Sequence, residues 1–187
     1  MRVISGKAKG RKLKRVPGDS TRPIMDRVKE NLFNILGKFV PGSRWLDLFA
    51  GTGQVGIEAL SRQAAEVIFV DNVNAAIRTI KDNLRLTQLS ENGKVLKIDA
   101  FRYLESPIGA PFDLIYVAPP QYKEMWQKVM IILDTRPSLY LTPDGLVVVQ
   151  IDPKEYLELE LANLIESDQR RYGSTLLCFY ELSVNVT

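Results

Sequence analysis

The run WLDLFAGTGQVG, Trp45–Gly56, carries a block of apolar residues into three glycines, Gly51, Gly53 and Gly56, spaced G-x-G-x-x-G. The residues before the glycines predict a strand over Trp45–Ala50, and those after predict a helix over Gln54–Arg62. Glycines between a strand and a helix allow a tight turn. They also let a ligand approach the backbone at a helix N-terminus, where amide N–H groups favour negative charge. Asp47 stands inside the apolar strand, four residues before Gly51. A carboxylate is costly to bury there unless it is paired. It is expected either to accept from amides of the turn or to meet the cationic end of a bound amino-acid moiety.

Outward from this run the same alternation repeats. Further strands are predicted at Glu66–Asp71, Lys94–Ala100, Phe112–Ala118, Gly145–Ile151 and Ser174–Leu182, and helices at Val73–Leu89, Tyr122–Leu133 and Glu155–Ile165. Continuous apolar strands between helices imply an α/β fold whose parallel sheet is covered on both faces. Asp168–Tyr172 lies too near the last strand for a helical crossover, so these two segments should pair antiparallel. At the N-terminus, Arg2–Ser5 and Arg11–Val16 flank a Gly/Lys turn and predict a small hairpin. A helix follows over Ile24–Leu36, with Ser20 or Thr21 as its cap and Pro23 in its first turn. Gly37 and VPGS, Val40–Ser43, close this segment. The expected organisation is an N-terminal extension, residues 1–40, on a main domain, residues 41–187.

Asp71 ends the second strand of the alternation, 20 residues after Gly51. There it suits hydrogen bonds from ribose hydroxyls, or equally the N-cap of the next helix. Asp99, with Ala100 and Phe101, ends the third strand and could meet an adenine amino group and ring, or again cap a helix. Ligands of open α/β sheets bind at these carboxyl ends. A nucleoside-bearing ligand is therefore expected, either a dinucleotide or S-adenosylmethionine. Asp47 favours the second, because dinucleotide folds usually keep that strand apolar.

Composition narrows the chemistry. The 187 residues contain no histidine and one cysteine, Cys178. That removes histidine general bases and His-based metal sites and leaves no internal disulfide. Cys178, within LLCFY, reads as an inert core residue. Residues 1–22 hold eight basic residues and one acid, net +7, which leaves −4 for the rest of a chain totalling +3. A basic arm on a mildly acidic body suggests attraction to a polyanion such as nucleic acid. No apolar run approaches the roughly 18 residues a membrane span needs. A cytoplasmic monomer without metal is the expectation.

A second stretch, DLIYVAPPQY, Asp113–Tyr122, ends a strand in two prolines. Prolines lack N–H groups and hold φ fixed, so such a corner can aim carbonyl oxygens at a ligand. The glycine turn, the acidic strand end and this corner resemble the class I S-adenosylmethionine-dependent methyltransferases. SGKAKGRKL followed by TRPIMDRVKENLFNIL resembles, more specifically, the RsmD-type family, which methylates the exocyclic N2 of a guanine in bacterial small-subunit (16S) ribosomal RNA. The resemblance covers Met1 to about Leu182. It implies a Rossmann-like, mostly parallel seven-stranded sheet with one strand antiparallel near the end.

The resemblance also implies roles. The cofactor S-adenosylmethionine would be held by Asp47, Phe49, Gly51, Gly53, Gly56, Asp71, Asn72, Asp99 and Ala100. The catalytic corner would be Ala118, Pro119, Pro120 and Tyr122. RNA would meet Lys7, Lys9, Arg11, Lys12, Lys14, Arg15, Arg22 and Arg27. Asp26 and Glu30, beside Arg27, would cover the cofactor or simply form a solvated helix face. The family normally has Asp or Asn, then Pro-Pro, then Phe or Tyr; here Ala118 replaces the polar residue and the aromatic stands one place late. A backbone carbonyl at Pro119 and stacking by Tyr122 would then carry the chemistry. Trp126 is expected in the core or at the rim. The alternatives are an adenine amino-methyltransferase, an RNA-binding assembly factor that has lost catalysis and, disfavoured by Asp47 and the proline corner, a nicotinamide dehydrogenase.

Overall fold

A computed structural model describes residues 1–18 and 23–183. The chain divides into two compact units, Met1–Ala100 and Phe101–Thr187.

The first unit contains helix α1 (Asp26–Leu36), strand β1 (Arg44–Leu48), helix α2 (Gln54–Ser61), strand β2 (Glu66–Asp71), helix α3 (Asn74–Thr87) and strand β3 (Gly93–Lys97). The three strands are parallel, in the order β3-β2-β1. Leu46 and Leu48 of β1 and Val67 to Val70 of β2 are buried, as continuous apolar strands between helices require. On α1 the residues Val28, Leu32, Phe33 and Leu36 form a buried face at helical spacing. Phe33 stacks flat on Trp45, ring centroids 5.6 Å apart. Full burial of each large apolar side chain contributes about 2 kcal/mol. The helix begins at Asp26 rather than Ile24 and has no side-chain cap. Ser20, Thr21 and Arg22 lie outside the described residues.

The N-terminal hairpin exists in reduced form. One antiparallel bridge joins Arg2 to Lys12, and Val3 N–H donates to Arg11 O at 3.0 Å. Its apolar residues Val3, Ala8, Leu13 and Val16 are buried. Its partner is α2, a helix whose residues are all buried, with a polar stripe at Gln54, Glu58 and Ser61. This i, i+4, i+7 stripe holds the extension. Gln54 Nε2 donates to Ile24 O (3.1 Å), and Glu58 accepts from the amides of Ile4 (2.8 Å) and Ser5 (3.0 Å). Ser61 Oγ donates to Ser5 O (2.6 Å) and accepts from Ala8 N–H (2.9 Å). Gly6 is obligatory here, since a Cβ would sit 1.8 Å from Ser61 O.

The second unit contains α4 (Ala100–Glu105, beginning on the last residue of the first unit), β4 (Phe112–Val117), α5 (Met125–Thr135), α6 (Pro137–Tyr140), β5 (Leu141–Ile151), β6 (Leu164–Tyr172) and β7 (Thr175–Leu182). β4 and β5 are parallel, and β7 runs antiparallel to both β5 and β6, as expected from the short connection. The strand order of the chain is β3-β2-β1-β4-β5-β7-β6. The expected Rossmann-like α/β fold with a mostly parallel seven-stranded sheet is therefore the fold observed.

Several boundaries differ from expectation. The helix expected over Glu155–Ile165 does not form. A 3₁₀ turn occupies Pro153–Glu155, an irregular segment follows, and β6 starts at Leu164. The reason is Asp134. Its carboxylate accepts from the successive amides of Ala162 (2.8 Å), Asn163 (2.7 Å) and Leu164 (2.8 Å), which holds that backbone extended. The third strand ends at Lys97 instead of Ala100, because Ala100 opens the short helix α4. Helix α5 starts at Met125 instead of Tyr122, since Tyr122 and Glu124 both have left-handed backbones. β5 starts at Leu141, four residues early, and reaches its regular ladder at Leu146 after a bulge.

Candidate active site

Strand β1 ends at Leu48, and the next residue, Phe49, has φ +76°, a conformation that costs a non-glycine residue about 1–2 kcal/mol. The bend is held by Val70 O of β2, which accepts from the amides of both Phe49 (3.1 Å) and Ala50 (2.9 Å). Gly53 N–H then closes the turn on Ala50 O at 2.8 Å, and Gly53, at φ +74°, is the N-cap of α2. Gly56 meets a different constraint. A Cβ there would lie 2.3 Å from Cε1 of Phe69 and 2.8 Å from Cγ1 of Val67, so only glycine lets α2 rest on β2. Strain at a strand end, persisting because its surroundings over-determine it, is a feature of ligand sites.

Two acidic side chains secure this turn. Asp47 is 2% exposed and accepts from Gly56 N–H at 3.2 Å, the first of its two expected roles. Burial pushes its pKa up to about 8; the Gly56 hydrogen bond pulls the other way, and the charge of Asp71 adds to the rise. Asp71 accepts from Gly51 N–H (2.9 Å) with one oxygen and from Val73 N–H (2.9 Å) with the other. It thus ties the turn to the start of α3 and retains acceptor capacity on both oxygens. Asn72, next to it, is exposed. Ile98 N–H donates to Asp71 O at 3.1 Å, so the chain leaving β3 passes the end of β2 and brings Asp99 and Ala100 to the same strand ends. Asp99 lies just ahead of α4, not in a strand.

These residues fit an adenosyl sulfonium ligand. A glycine floor stands at a helix N-terminus without a side-chain cap, with a buried acid beneath it and a half-exposed acid at the next strand end. Among the described residues no group of three or more His, Cys, Asp or Glu side chains could hold a metal ion.

The proline corner belongs to the second unit. Ala118 and Pro119 are half-buried and Pro120 is exposed. Tyr122 is 63% exposed with φ +59°, and Glu124 follows at φ +54°. The strained backbone of Tyr122 is held by its N–H, which donates to Glu155 Oε1 at 2.5 Å. The other oxygen of Glu155 accepts from Asp152 N–H (3.2 Å), and Asp152 Oδ1 accepts from Lys154 N–H (2.9 Å). This reciprocal capping box fixes Glu155 in turn. Sequence reasoning missed Glu155 in this role by placing it in a helix. Its signal was D-P-K-E, a capping box with Pro at the first position. Trp126 is buried in the core. Cys178 is buried too, its thiol pushed up to about 12 by burial, and is unreactive at neutral pH.

The basic arm is exposed at Lys7, Lys9, Arg11, Lys12, Lys14 and Arg15, and Arg27 is exposed on α1. Asp26 faces Arg2, Lys29 and the N-terminal amine, each at 3.9–4.0 Å, while Glu30 is exposed. Lys29, wholly buried, donates to Arg2 O (2.6 Å) and lies 3.5 Å from Glu58; burial lowers its pKa while Glu58 and Asp26 oppose the fall. Neither Lys29 nor Glu58 was singled out from sequence. A charged residue inside an otherwise buried helical face was the signal for each.

Comparison with known proteins agrees with this geometry. The family model "Conserved hypothetical protein 95" matches residues 1–181. The Bacillus subtilis protein YlbH is 42% identical, covering 97% of this chain and 98% of its own. The Haemophilus influenzae protein named Ribosomal RNA small subunit methyltransferase D is 34% identical over 81% of this chain and 79% of its own. The solved structure of Escherichia coli yhhF superposes with a TM-score of 0.85 at 29% identity, covering 99% of each chain. No helix among the described residues is long and apolar enough to cross a membrane. Residues 1–181 place the chain in that family: it is a class I, S-adenosylmethionine-dependent methyltransferase of the RsmD type.

Proposed function

We propose that this enzyme methylates the exocyclic N2 of a guanine in small-subunit ribosomal RNA. The observation that supports it is the pair of acids on one turn: Asp47 and Asp71 each hold an amide of the G-x-G-x-x-G segment, at Gly56 and Gly51. In this reading Asp71 takes the ribose hydroxyls and Asp47 faces the amino-acid end of the cofactor. Phe49, Gly51, Gly53, Gly56 and Asn72 form the floor and flank, with Asp99 and Ala100 at the adenine. S-adenosylmethionine, when bound, supplies a methyl group on a sulfonium centre.

The acceptor is a poor nucleophile, because the amino lone pair of guanine is delocalised into its ring. A carbonyl that accepts from the amino N–H favours a pyramidal nitrogen and stabilises the charge that develops on it. Ala118 offers no side chain for this, so the carbonyl of Pro119 does it, with Pro120 fixing the corner and Tyr122 stacking on the base. The base must leave its stack to be reached. Residues 1–40 act as an extension that binds RNA and covers the cofactor on the domain of residues 41–187. Within it Lys7, Lys9, Arg11, Lys12, Lys14, Arg15, Arg22 and Arg27 meet phosphates. The enzyme works in the cytoplasm as a monomer and needs no metal.

The test is methyl transfer from labelled S-adenosylmethionine to naked ribosomal RNA, to DNA and to small ribosomal subunits, followed by nucleoside analysis. Label in N2-methylguanosine is expected; label confined to adenine would overturn the assignment. Ala118 also supports a second reading, an assembly factor that retains cofactor and RNA binding. Cofactor binding with no transfer to any ribosomal substrate would favour that one.

A further inference from the structure

Helix α3 turns Arg78, Lys81 and Arg85 to its exposed side. Spacings of three and four residues place them on one face, and seven residues separate the first from the last by about 10 Å along the helix. The arm is fastened beside them. Lys14 N–H donates to Asn83 Oδ1 (2.8 Å), and Asn83 Nδ2 donates back to Lys14 O (3.1 Å). Arg11 Nη1 donates to Leu86 O (3.3 Å). The second segment of the arm therefore runs against the last turns of α3.

One acid, Asp82, interrupts this face, and it is already engaged by Lys14 at 2.9 Å and Arg85 at 3.1 Å. The hydrogen bond from Lys14 holds its carboxyl below the usual range. No ion pair among the described residues involves Arg78 or Lys81. The strip also has a direction. α3 starts three residues after Asp71, so the row from Arg85 to Arg78 runs from the arm toward the end of β2 that carries Asp71.

We propose that Arg78, Lys81 and Arg85 form a second phosphate-binding strip for RNA, continuous with the basic arm and guiding the strand toward the carboxyl end of β2. This rests on the reading that the arm binds RNA. Charge complementarity selects the occupant. Three cations along about 10 Å of helix can each meet a phosphate oxygen of one strand, the contact that dominates nucleic-acid affinity. On the exposed side of α3 these three cations stand beside one exposed large apolar side chain, Leu86.

The experiment compares three proteins: the parent, the triple variant R78Q/K81Q/R85Q, and an arm variant, K7Q/K9Q/K12Q. Each binds labelled small-subunit ribosomal RNA across about 50 to 200 mM salt, with S-adenosylhomocysteine affinity and thermal melting measured alongside. The α3 variant should lose about tenfold in RNA affinity, and the slope of log affinity against log salt should shrink by about 2. Its melting and cofactor affinity should be unchanged. If the triple variant melts early, R78Q/K81Q, which breaks no ion pair, gives the same test at a slope change of about 1.4. Parent-like affinity and slope in the α3 variant, with loss in the arm variant, overturns this strip while the arm's role stands. It would also leave the face to an acidic protein surface. Parent-like behaviour in both variants overturns the RNA reading itself.

Discussion

The glycine turn and the proline corner solve a similar problem by different means. Each follows a parallel strand, and each forces an aromatic residue into the left-handed region: Phe49 at φ +76° and Tyr122 at φ +59°. The turn is locked from within. Val70 O takes two amides, Asp47 and Asp71 take two more, and Gly56 admits nothing larger against Phe69. The corner is open, with Tyr122 63% exposed and its amide held by one carboxylate, Glu155, 33 residues away. A rigid, buried turn suits a cofactor whose adenosyl part is the same before and after transfer. A corner on an external tether suits a nucleobase that must enter and leave.

The buried acid of the turn is the most exposed to pH. Asp47 has its pKa raised from 3.8 to about 8. Between those values folded Asp47 binds more proton than it does in the unfolded chain, so its contribution to stability is greatest below about 4 and falls as pH rises toward 8. Above 8 this contribution is flat. The loss across the window is about 6 kcal/mol at most. Urea unfolding from pH 5 to pH 8.5 should show a decline that flattens in Asp47→Asn. A parent without that decline would mean that Asp47 is not held neutral by burial.

Packing separates the regions next. Gly56→Ala pushes a methyl group to 2.3 Å from the buried Phe69 ring and should destabilise the protein by about 3 kcal/mol, read from the urea midpoint. Pro120, exposed at the corner, tolerates Ala with about 1 kcal/mol or less. A mild Gly56→Ala would show that α2 can lift off β2 and that the turn is less rigid than its contacts indicate.

Function then splits along the same line. Asp71→Ala should weaken S-adenosylhomocysteine binding by about 1–3 kcal/mol in calorimetric titration, through lost charge-assisted hydrogen bonds. Glu155→Ala should leave that binding intact and lower kcat by about tenfold, since it removes the acceptor of the Tyr122 amide. Equal loss of cofactor binding in both variants would end the division of labour.

The contrast also explains what was legible. The turn is local: twelve residues contain its strand, glycines and first acid, and Glu66–Asp71 was read to the residue. What was hidden depends on partners far along the chain. Asp134 straightens Ala162–Leu164 and defeats a helix that LELELANLI would otherwise favour. Glu58 and Ser61 weld the arm to α2 across more than 50 residues, so the segment read as a basic hairpin is also a docked surface. Such side chain–backbone bonds leave no periodic trace. The stripe Gln54, Glu58, Ser61 is the one exception, visible as polar residues on a single helical line.

The smallest effect tests why the corner keeps its strain. Tyr122→Gly removes a left-handed tyrosine, a relief of about 1–2 kcal/mol, and adds the unfolded-state entropy of glycine, a cost of about 0.5–1 kcal/mol. The net change in stability should be a gain of no more than about 1.5 kcal/mol, measurable by denaturant midpoint. Methyl transfer should nevertheless fall, with KM for RNA rising as the stacking surface is lost. Tyr122→Phe should keep both stacking and strain and stay near the parent in both assays. A glycine variant that is more stable and equally active would mean that the tyrosine is not there for the base, and the strain would have no function to explain it.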